Sequence, residues 1–225
     1  LVQQVMDAAK ELGVEVTDDV NSSRFLSGKS ILVINIHKLV NGKSVFGVGD
    51  EGSKLKISSL IIDDAHACIE TVEDQFTINI PRKTDAYSQL HGIFRNSLRQ
   101  ECESKAIEIE INDPTSYMQV PYWTWQDKIS DISKKLINNK KEDCLKWVWP
   151  LVKENLKLSH CVISSSSIEI SPHSIPIHMI PSLIDADRKI FMTATLVDDS
   201  ILVSHFAVSE EQIKHPIVPD SAGDV

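Results

Sequence analysis

Three short apolar runs, the second and third followed at once by polar residues, constrain the fold of this chain more than any other feature. They occupy residues 30–35, 60–62 and 190–192. Because they are short and rich in β-branched side chains, they favour strands buried on both faces, as in a parallel sheet. Open α/β sheets build their sites at the carboxyl ends of such strands. The sequence therefore predicts an α/β fold, with a parallel sheet flanked by helices.

The long segment between the second and third runs has a different pattern. Apolar residues recur there at helical spacing in three stripes, which are Tyr87, Leu90, Phe94 and Leu98, then Trp125, Ile129, Ile132 and Leu136, then Leu145, Trp149, Val152 and Leu156. Pro150 should kink or end the third helix. Residues 82–159 are accordingly predicted to be a mainly helical insertion. Alternation of Ile107, Ile109 and Ile111 with glutamates predicts one short strand inside it.

The remaining chain divides around this insertion. Residues 1–81 and 160–210 are predicted to form parts of one domain, and residues 211–225 a tail or linker. The opening apolar stripe predicts a helix that stops at Gly13. The four tryptophans, Trp123, Trp125, Trp147 and Trp149, fall within the insertion and are expected to form its core. A platform on which nucleic-acid bases stack is the alternative.

Composition narrows the function classes. Hydrophobic residues make up 42% of the 225 residues, which suits a packed core. The net charge of −9 argues against a globally basic nucleic-acid binder, although a local site is compatible with it. No apolar run approaches the roughly 18 residues that a membrane span needs. The four cysteines lack the close pairing of zinc or iron–sulfur sites, so we expect buried free thiols in a cytoplasmic protein.

Asp63 and Asp64 end the second apolar run and are the first candidate site. One carboxylate at such a strand end can hold Mg²⁺ beside a nucleoside triphosphate, and the next can orient the attacking water. An ordinary acidic turn after a buried strand is the alternative. Thr193, Ala194 and Thr195 end the third run, and their hydroxyls could hydrogen-bond to a neighbouring acidic segment. The occurrence of both features in this order is more specific than either alone.

These segments carry a family resemblance. Residues 60–67, LIIDDAHA, resemble motif II (the DEAD/DEAH box) of superfamily 2 helicases, and residues 188–196, RKIFMTATL, resemble their motif III. Residues 31–39, ILVINIHKL, are similar to the motif Ib region, and the opening helix to the one that follows motif Ia. The insertion occupies the position of the arch domain in Rad3-like helicases, without cysteines to hold an iron–sulfur cluster.

The resemblance implies a RecA-like motor domain that uses ATP and Mg²⁺. Asp63 would be the Mg²⁺ ligand and Asp64 the acid that orients water, at a position where the family usually has Glu. His66 would link the γ-phosphate region to a second RecA-like domain of the same longer chain. Residues 193–195 would couple nucleotide state to movement of nucleic acid. Asn35, His37 and Lys38 would contact that nucleic acid.

Two Gly-Lys-Ser sequences, at residues 28–30 and 42–44, do not meet the requirements of a phosphate loop. Ser23 and His37 stand where each would need an earlier glycine, and the first leads into a strand instead of a helix. We expect the true loop upstream of Leu1. The predicted function is thus part of an ATP-dependent DNA or RNA helicase or translocase, inactive as an isolated fragment. The alternative is a degenerate, non-catalytic RecA-like module that binds a partner protein through the insertion.

Overall fold

The computed structural model describes residues 1–49, 52, 54–193, 200–206 and 208–217. Its strands are β1 (Val16–Thr17), β2 (Ile31–Leu32), β3 (Ser59–Ile62), β4 (Ile78–Pro81), β5 (Tyr117–Gln119), β6 (Ser159–Ser164), β7 (Ser167–Pro172) and β8 (Arg188–Phe191). Its helices are α1 (Val2–Glu11), α2 (Ser23–Leu26), α3 (Ile36–Leu39), α4 (Ala65–Gln75), α5 (Asp85–Glu101), α6 (Glu103–Glu110), α7 (Tyr122–Asn138), α8 (Asp143–Lys146), α9 (Trp149–Val152), α10 (Pro181–Ile184), α11 (Ser200–Phe206) and α12 (Glu210–Ile213). The chain is therefore a mixed α/β protein.

The second and third apolar runs form adjacent parallel strands. Strand β3 pairs with β8 in register, Ile62 opposite Phe191. Ile62 is buried, whereas Ile61 on the opposite face of the strand is 56% exposed. The expectation that this strand is buried on both faces is therefore wrong for the described residues. Parallel pairing of the two runs is present, but only one face of β3 is covered.

The first apolar run is less regular than the sequence predicts. Only two of its residues form a strand, β2, which pairs in parallel with β1. Ile31 is 55% exposed, so this strand too is not buried on both faces. The preceding helix α1 does end where predicted, since Gly13 adopts φ +69° just beyond it.

A four-stranded antiparallel sheet with the order β4-β7-β6-β5 occupies the middle of the chain. Strands β6 and β7 form a hairpin, and β4 and β5 pair with its two outer sides. This sheet, with its helices, is called the antiparallel body below. It crosses the predicted boundaries at 81/82 and 159/160, because β4, β6 and β7 were assigned to the surrounding domain. The insertion at residues 82–159 is thus not a separate helical unit.

Helices α5 and α7 pack together and contact the buried face of this sheet. Alternate residues Cys161, Ile163, Ile168 and Ile170 point into that interface, as expected for strands covered on one side. Trp125 from α7 stacks near Phe94 of α5 and donates its indole N–H to the Leu156 carbonyl at 3.0 Å. The third predicted stripe is divided between α8 and α9, and Pro150 lies in the first turn of α9. Helical packing in this region therefore follows the sequence pattern.

The strand predicted from Ile107, Ile109 and Ile111 is wrong, because these residues belong to helix α6 and its end. Ile109 is fully buried, while Ile111 is 73% exposed. Glu110 accepts hydrogen bonds from Arg95 and Arg99 of α5, with contacts of 2.7 to 3.2 Å. Since both arginines project from one face of a neighbouring helix, these tertiary ion pairs favour a helical position for Glu110.

The ion pairs of Glu110 predict a pH dependence of stability. Hydrogen bonds from Arg95 and Arg99 lower the pKa of the Glu110 carboxyl from 4.5 to about 2. A carboxyl whose pKa is lower in the folded state stabilises that state above its unfolded pKa, and the contribution disappears as protonation proceeds. We expect Glu110→Gln to be less stable than the wild type at neutral pH. The difference in the free energy of unfolding between the two proteins should narrow as the pH falls from about 4.5 towards 2.

Urea unfolding at a series of pH values measures this gap. Glu101→Gln, at the exposed end of α5, is the matched control and should show no such convergence. A gap for Glu110→Gln that stays constant from pH 6 down to about pH 2.5 would contradict the predicted role of these ion pairs.

The tryptophans also depart in part from expectation. Trp125 and Trp149 are buried, but Trp123 is 62% and Trp147 45% exposed, so the four do not form one core. The four cysteines are free thiols; Cys161 is buried and the others are half-buried. Helices among the described residues are all too short or too polar to span a membrane.

Candidate functional site

The carboxyl ends of β3 and β8 lie side by side. The Met192 amide donates to the Ile62 carbonyl at 2.8 Å, and the Ala65 amide donates to the Met192 carbonyl at 2.9 Å. Backbone hydrogen bonding therefore continues past both strand ends and places Asp63 and Asp64 beside Met192 and Thr193. The predicted acidic segment and the start of the predicted hydroxyl segment meet at one end of this two-stranded sheet.

The turn between β3 and α4 exposes both aspartates. Asp64 adopts a left-handed conformation, φ 48° and ψ 59°, at the residue that precedes helix α4. Aspartate tolerates this conformation better than most residues, because its short side chain can bond locally. The side chain of Asp63 accepts a hydrogen bond from the Asp64 amide at 3.0 Å. The turn thus presents two neighbouring carboxylates to solvent at the strand end.

Cys68 of α4 forms a hydrogen bond with the backbone of this turn, and no pattern in the sequence indicates this contact. Its thiol lies 3.4 Å from the Asp63 carbonyl oxygen, to which it donates a hydrogen bond. Burial raises the pKa of the Cys68 thiol, and the charges of Asp64 and Asp63 raise it further. The thiol therefore remains protonated at neutral pH and keeps its capacity to donate.

His66 lies in the first turn of α4, and its side chain points along the helix towards Glu70. Its Nε2 is 3.6 Å from the Glu70 carboxylate one turn later, and half of its side chain is exposed. The imidazole is close in sequence to the two aspartates, but its described ionic contact is with Glu70. It remains on the same exposed helix end as the carboxylates.

The chemistry of these donors fits Mg²⁺ better than a transition metal. Mg²⁺ is commonly held by one or two carboxylates, with phosphate oxygens and water completing six ligands. Asp63 and Asp64 supply such oxygens on an exposed turn. Over the residues that the structure describes, no cluster of three or more His, Cys, Asp or Glu side chains could hold an ion without other ligands. A metal here would depend on a bound phosphate for its remaining ligands.

The predicted coupling residues are only partly described. Thr193 directly follows the Met192 backbone that bonds to the β3 end. Ala194 and Thr195 lie outside the described residues.

The predicted nucleic-acid contacts lie on the short helix α3, which packs against α4. Asn35 caps α3, since its side-chain oxygen accepts from the Lys38 amide at 3.1 Å. The Lys38 ammonium is 3.4 Å from the Asp18 carbonyl oxygen. His37 is exposed and lines a cleft of about 500 Å³. Of the three, Asn35 has a clear structural role, and His37 lines the cleft.

Both Gly-Lys-Ser sequences follow helices, where a phosphate loop would have to precede one. Gly28 ends α2 with φ +72°, and the chain continues into β2. Gly42 lies beyond α3 and donates its amide to the Trp147 carbonyl at 2.9 Å. Neither segment therefore presents a helix N-terminus to a phosphate.

No family model, curated protein or solved structure matches this chain.

Proposed function

We propose that this chain is part of the first RecA-like motor domain of an ATP-dependent helicase or translocase acting on DNA or RNA. In this proposal, Asp63 would hold Mg²⁺, which would supply positive charge for ATP hydrolysis, and Asp64 would orient the attacking water. His66 and residues 193–195 transmit the state of the nucleotide to a second motor domain.

One observation carries the proposal. The acidic turn after β3 and the end of β8 are held together by two backbone hydrogen bonds between parallel neighbours. A motor needs this arrangement, because hydrolysis at the metal-bound phosphate must move a hydrogen-bonded neighbour to perform work. Had β3 and β8 lain apart, Thr193 could not respond to a nucleotide held by Asp63.

The direct test is ATP hydrolysis by the intact protein, with and without single-stranded DNA or RNA. Stimulation by either nucleic acid, dependent on Mg²⁺, is the expected result. Hydrolysis that is absent under all conditions would overturn the motor assignment. An Asp131→Ala variant, altered on the exposed surface of α7, is the control and should hydrolyse ATP as the wild type does.

The alternative, a non-catalytic module that binds a partner protein, is favoured by one observation. Tyr122 and Trp123 begin α7 and are 64% and 62% exposed. Large aromatic side chains of this kind are enriched in protein interfaces. Loss of partner capture in Trp123→Ala, together with an intact protein that never hydrolyses ATP, would support this alternative.

A further inference from the structure

The cleft that His37 lines is built from two parts of the chain. One wall is α3 and the loop after it, and the other is the edge strand β4 with α8 and the residues that follow. Its lining includes Gln75 and Asn79, which offer amide donors and acceptors. A volume of about 500 Å³ accommodates one or a few nucleotides but not a duplex.

Trp147 is the aromatic group of this cleft, and 45% of it is exposed. The ammonium of Lys43 lies 4.6 Å from the ring centroid, and that of Lys146 lies 5.2 Å from it. Neither ammonium forms an ion pair with a carboxylate in the part of the chain that the structure describes. Their long, flexible stems allow them to leave the ring for a phosphate.

A close backbone contact fixes Trp147 against α3. Gly42 donates to the Trp147 carbonyl, and a Cβ at residue 42 would lie 2.1 Å from that oxygen and 2.9 Å from Pro150 Cδ. Glycine is therefore required for this approach. The contact joins the loop after α3 to the segment that carries Trp147, and both His37 and Trp147 line the cleft.

We propose that this cleft binds single-stranded nucleic acid, with a base stacked on Trp147 and phosphates held by Lys43 and Lys146. The inference rests on the proposed function and names the place where its nucleic acid binds. Sequence-tolerant single-strand sites combine a stacking aromatic ring with cations along the backbone path. Amide side chains such as Gln75 and Asn79 suit the edges of an unpaired base.

Two acidic residues near the cleft restrict where the phosphates of a bound strand can lie. Asp143 lines the same cleft, and Glu142 lies next to Cys144, whose pKa is raised to about 11 by burial and by that carboxylate. These two carboxylates repel phosphates. Phosphates are therefore expected beside the ammonium groups of Lys43 and Lys146, which lie over the Trp147 ring.

Binding of fluorescently labelled dT20 and U20 to the intact protein without ATP tests the cleft. We expect Trp147→Ala to weaken binding by about 5- to 100-fold, the range for loss of one stacked base. Trp147→Phe should restore most of the affinity, since a smaller ring still stacks. Tyr117→Ala removes an exposed aromatic ring on β5, outside the cleft, and should leave binding unchanged. Unlabelled duplex should compete poorly.

A second pair of variants tests the cations. Lys43→Gln combined with Lys146→Gln should reduce the magnitude of the slope of log affinity against log salt by about 1.4 relative to the wild type, since each phosphate contact on a single strand contributes about 0.7. Equal binding by Trp147→Ala and wild type, or equal weakening by Trp147→Ala and Tyr117→Ala, would overturn the site. Wild-type ATP hydrolysis is measured separately, so a protein that binds strands through Trp147 but does not hydrolyse ATP refutes the motor and retains the cleft.

Discussion

Replacing Asp63 with Asn should reduce nucleic-acid-stimulated ATP hydrolysis by about 100-fold or more while leaving the fold intact. A carboxylate that holds Mg²⁺ on the transferred phosphate contributes several kcal/mol to the transition state, and about 2.7 kcal/mol corresponds to a factor of 100. Asparagine retains the oxygen that accepts from the Asp64 amide, so the turn before α4 keeps its local bond. The loss therefore reports on charge at the metal and not on the conformation of the turn.

Asp63→Ala separates the two roles of this side chain. It should lose the same activity and, in addition, about 1 kcal/mol of stability, because the Asp64 amide loses its acceptor. Steady-state ATP turnover at saturating nucleic acid, with urea unfolding of each variant, measures both effects. Retention of more than about half of the wild-type rate by Asp63→Asn would exclude Asp63 as the metal ligand.

The site was predictable to the extent that it is local. Residues 60–64 and 190–193 carry their signal in short apolar runs and the polar residues that end them, and parallel strands bring such ends to one edge. The conformation of Asp64 and the support from Cys68 depend on how β3 turns into α4, which no spacing in the sequence reports.

The antiparallel sheet illustrates why long-range pairing is harder to predict. Strand β4 pairs with β7 across nearly the whole insertion, so no turn signal links them. The β6–β7 hairpin does have a pattern in the sequence. Cys161 and Ile163, then Ile168 and Ile170, alternate with less buried residues on the two sides of a serine-rich turn. Those alternations match a strand pattern, which the helical stripe that ends at Leu156 directly precedes.

The tryptophans show a signal that helical geometry could have supplied. Trp123 and Trp125 are two positions apart on α7, and side chains at that spacing point to opposite sides of a helix. Only Trp125 shares a face with the buried Ile132 and Leu136.

Arg82 joins several segments of the antiparallel body by hydrogen bonds. Its replacement should destabilise that body more than replacement of any other partly exposed side chain in it. The guanidinium donates to the carbonyls of Ile109, Glu110 and Ser165, each at 2.9 Å. It also lies over the ring of Tyr87, 5.6 Å from its centroid. Two of these carbonyls belong to the last turn of α6, where a cation also opposes the negative end of the helix dipole. One side chain thus joins α6 and the β6–β7 turn to the end of β4.

We expect Arg82→Ala to reduce the free energy of unfolding by about 3 to 4 kcal/mol, since three half-buried carbonyls lose a charged donor. The free energy of unfolding of Arg82→Lys should lie between those of the wild type and Arg82→Ala. One ammonium cannot satisfy acceptors on two separate segments in the way a planar guanidinium does. Lys83→Ala removes the neighbouring exposed cation and should change stability by less than about 0.5 kcal/mol.

Chemical denaturation of the three variants, followed by tryptophan fluorescence, gives these differences directly. Trp125 is buried in the core of the antiparallel body and reports its unfolding. Arg82 directly follows β4, and Asn79 of that strand lines the cleft. We therefore expect Arg82→Ala to lose single-strand binding only at denaturant concentrations that unfold the antiparallel body. If Arg82→Ala unfolds at the same denaturant concentration as Lys83→Ala, the three carbonyls are satisfied by water, and the strength of the antiparallel body lies in its apolar core alone.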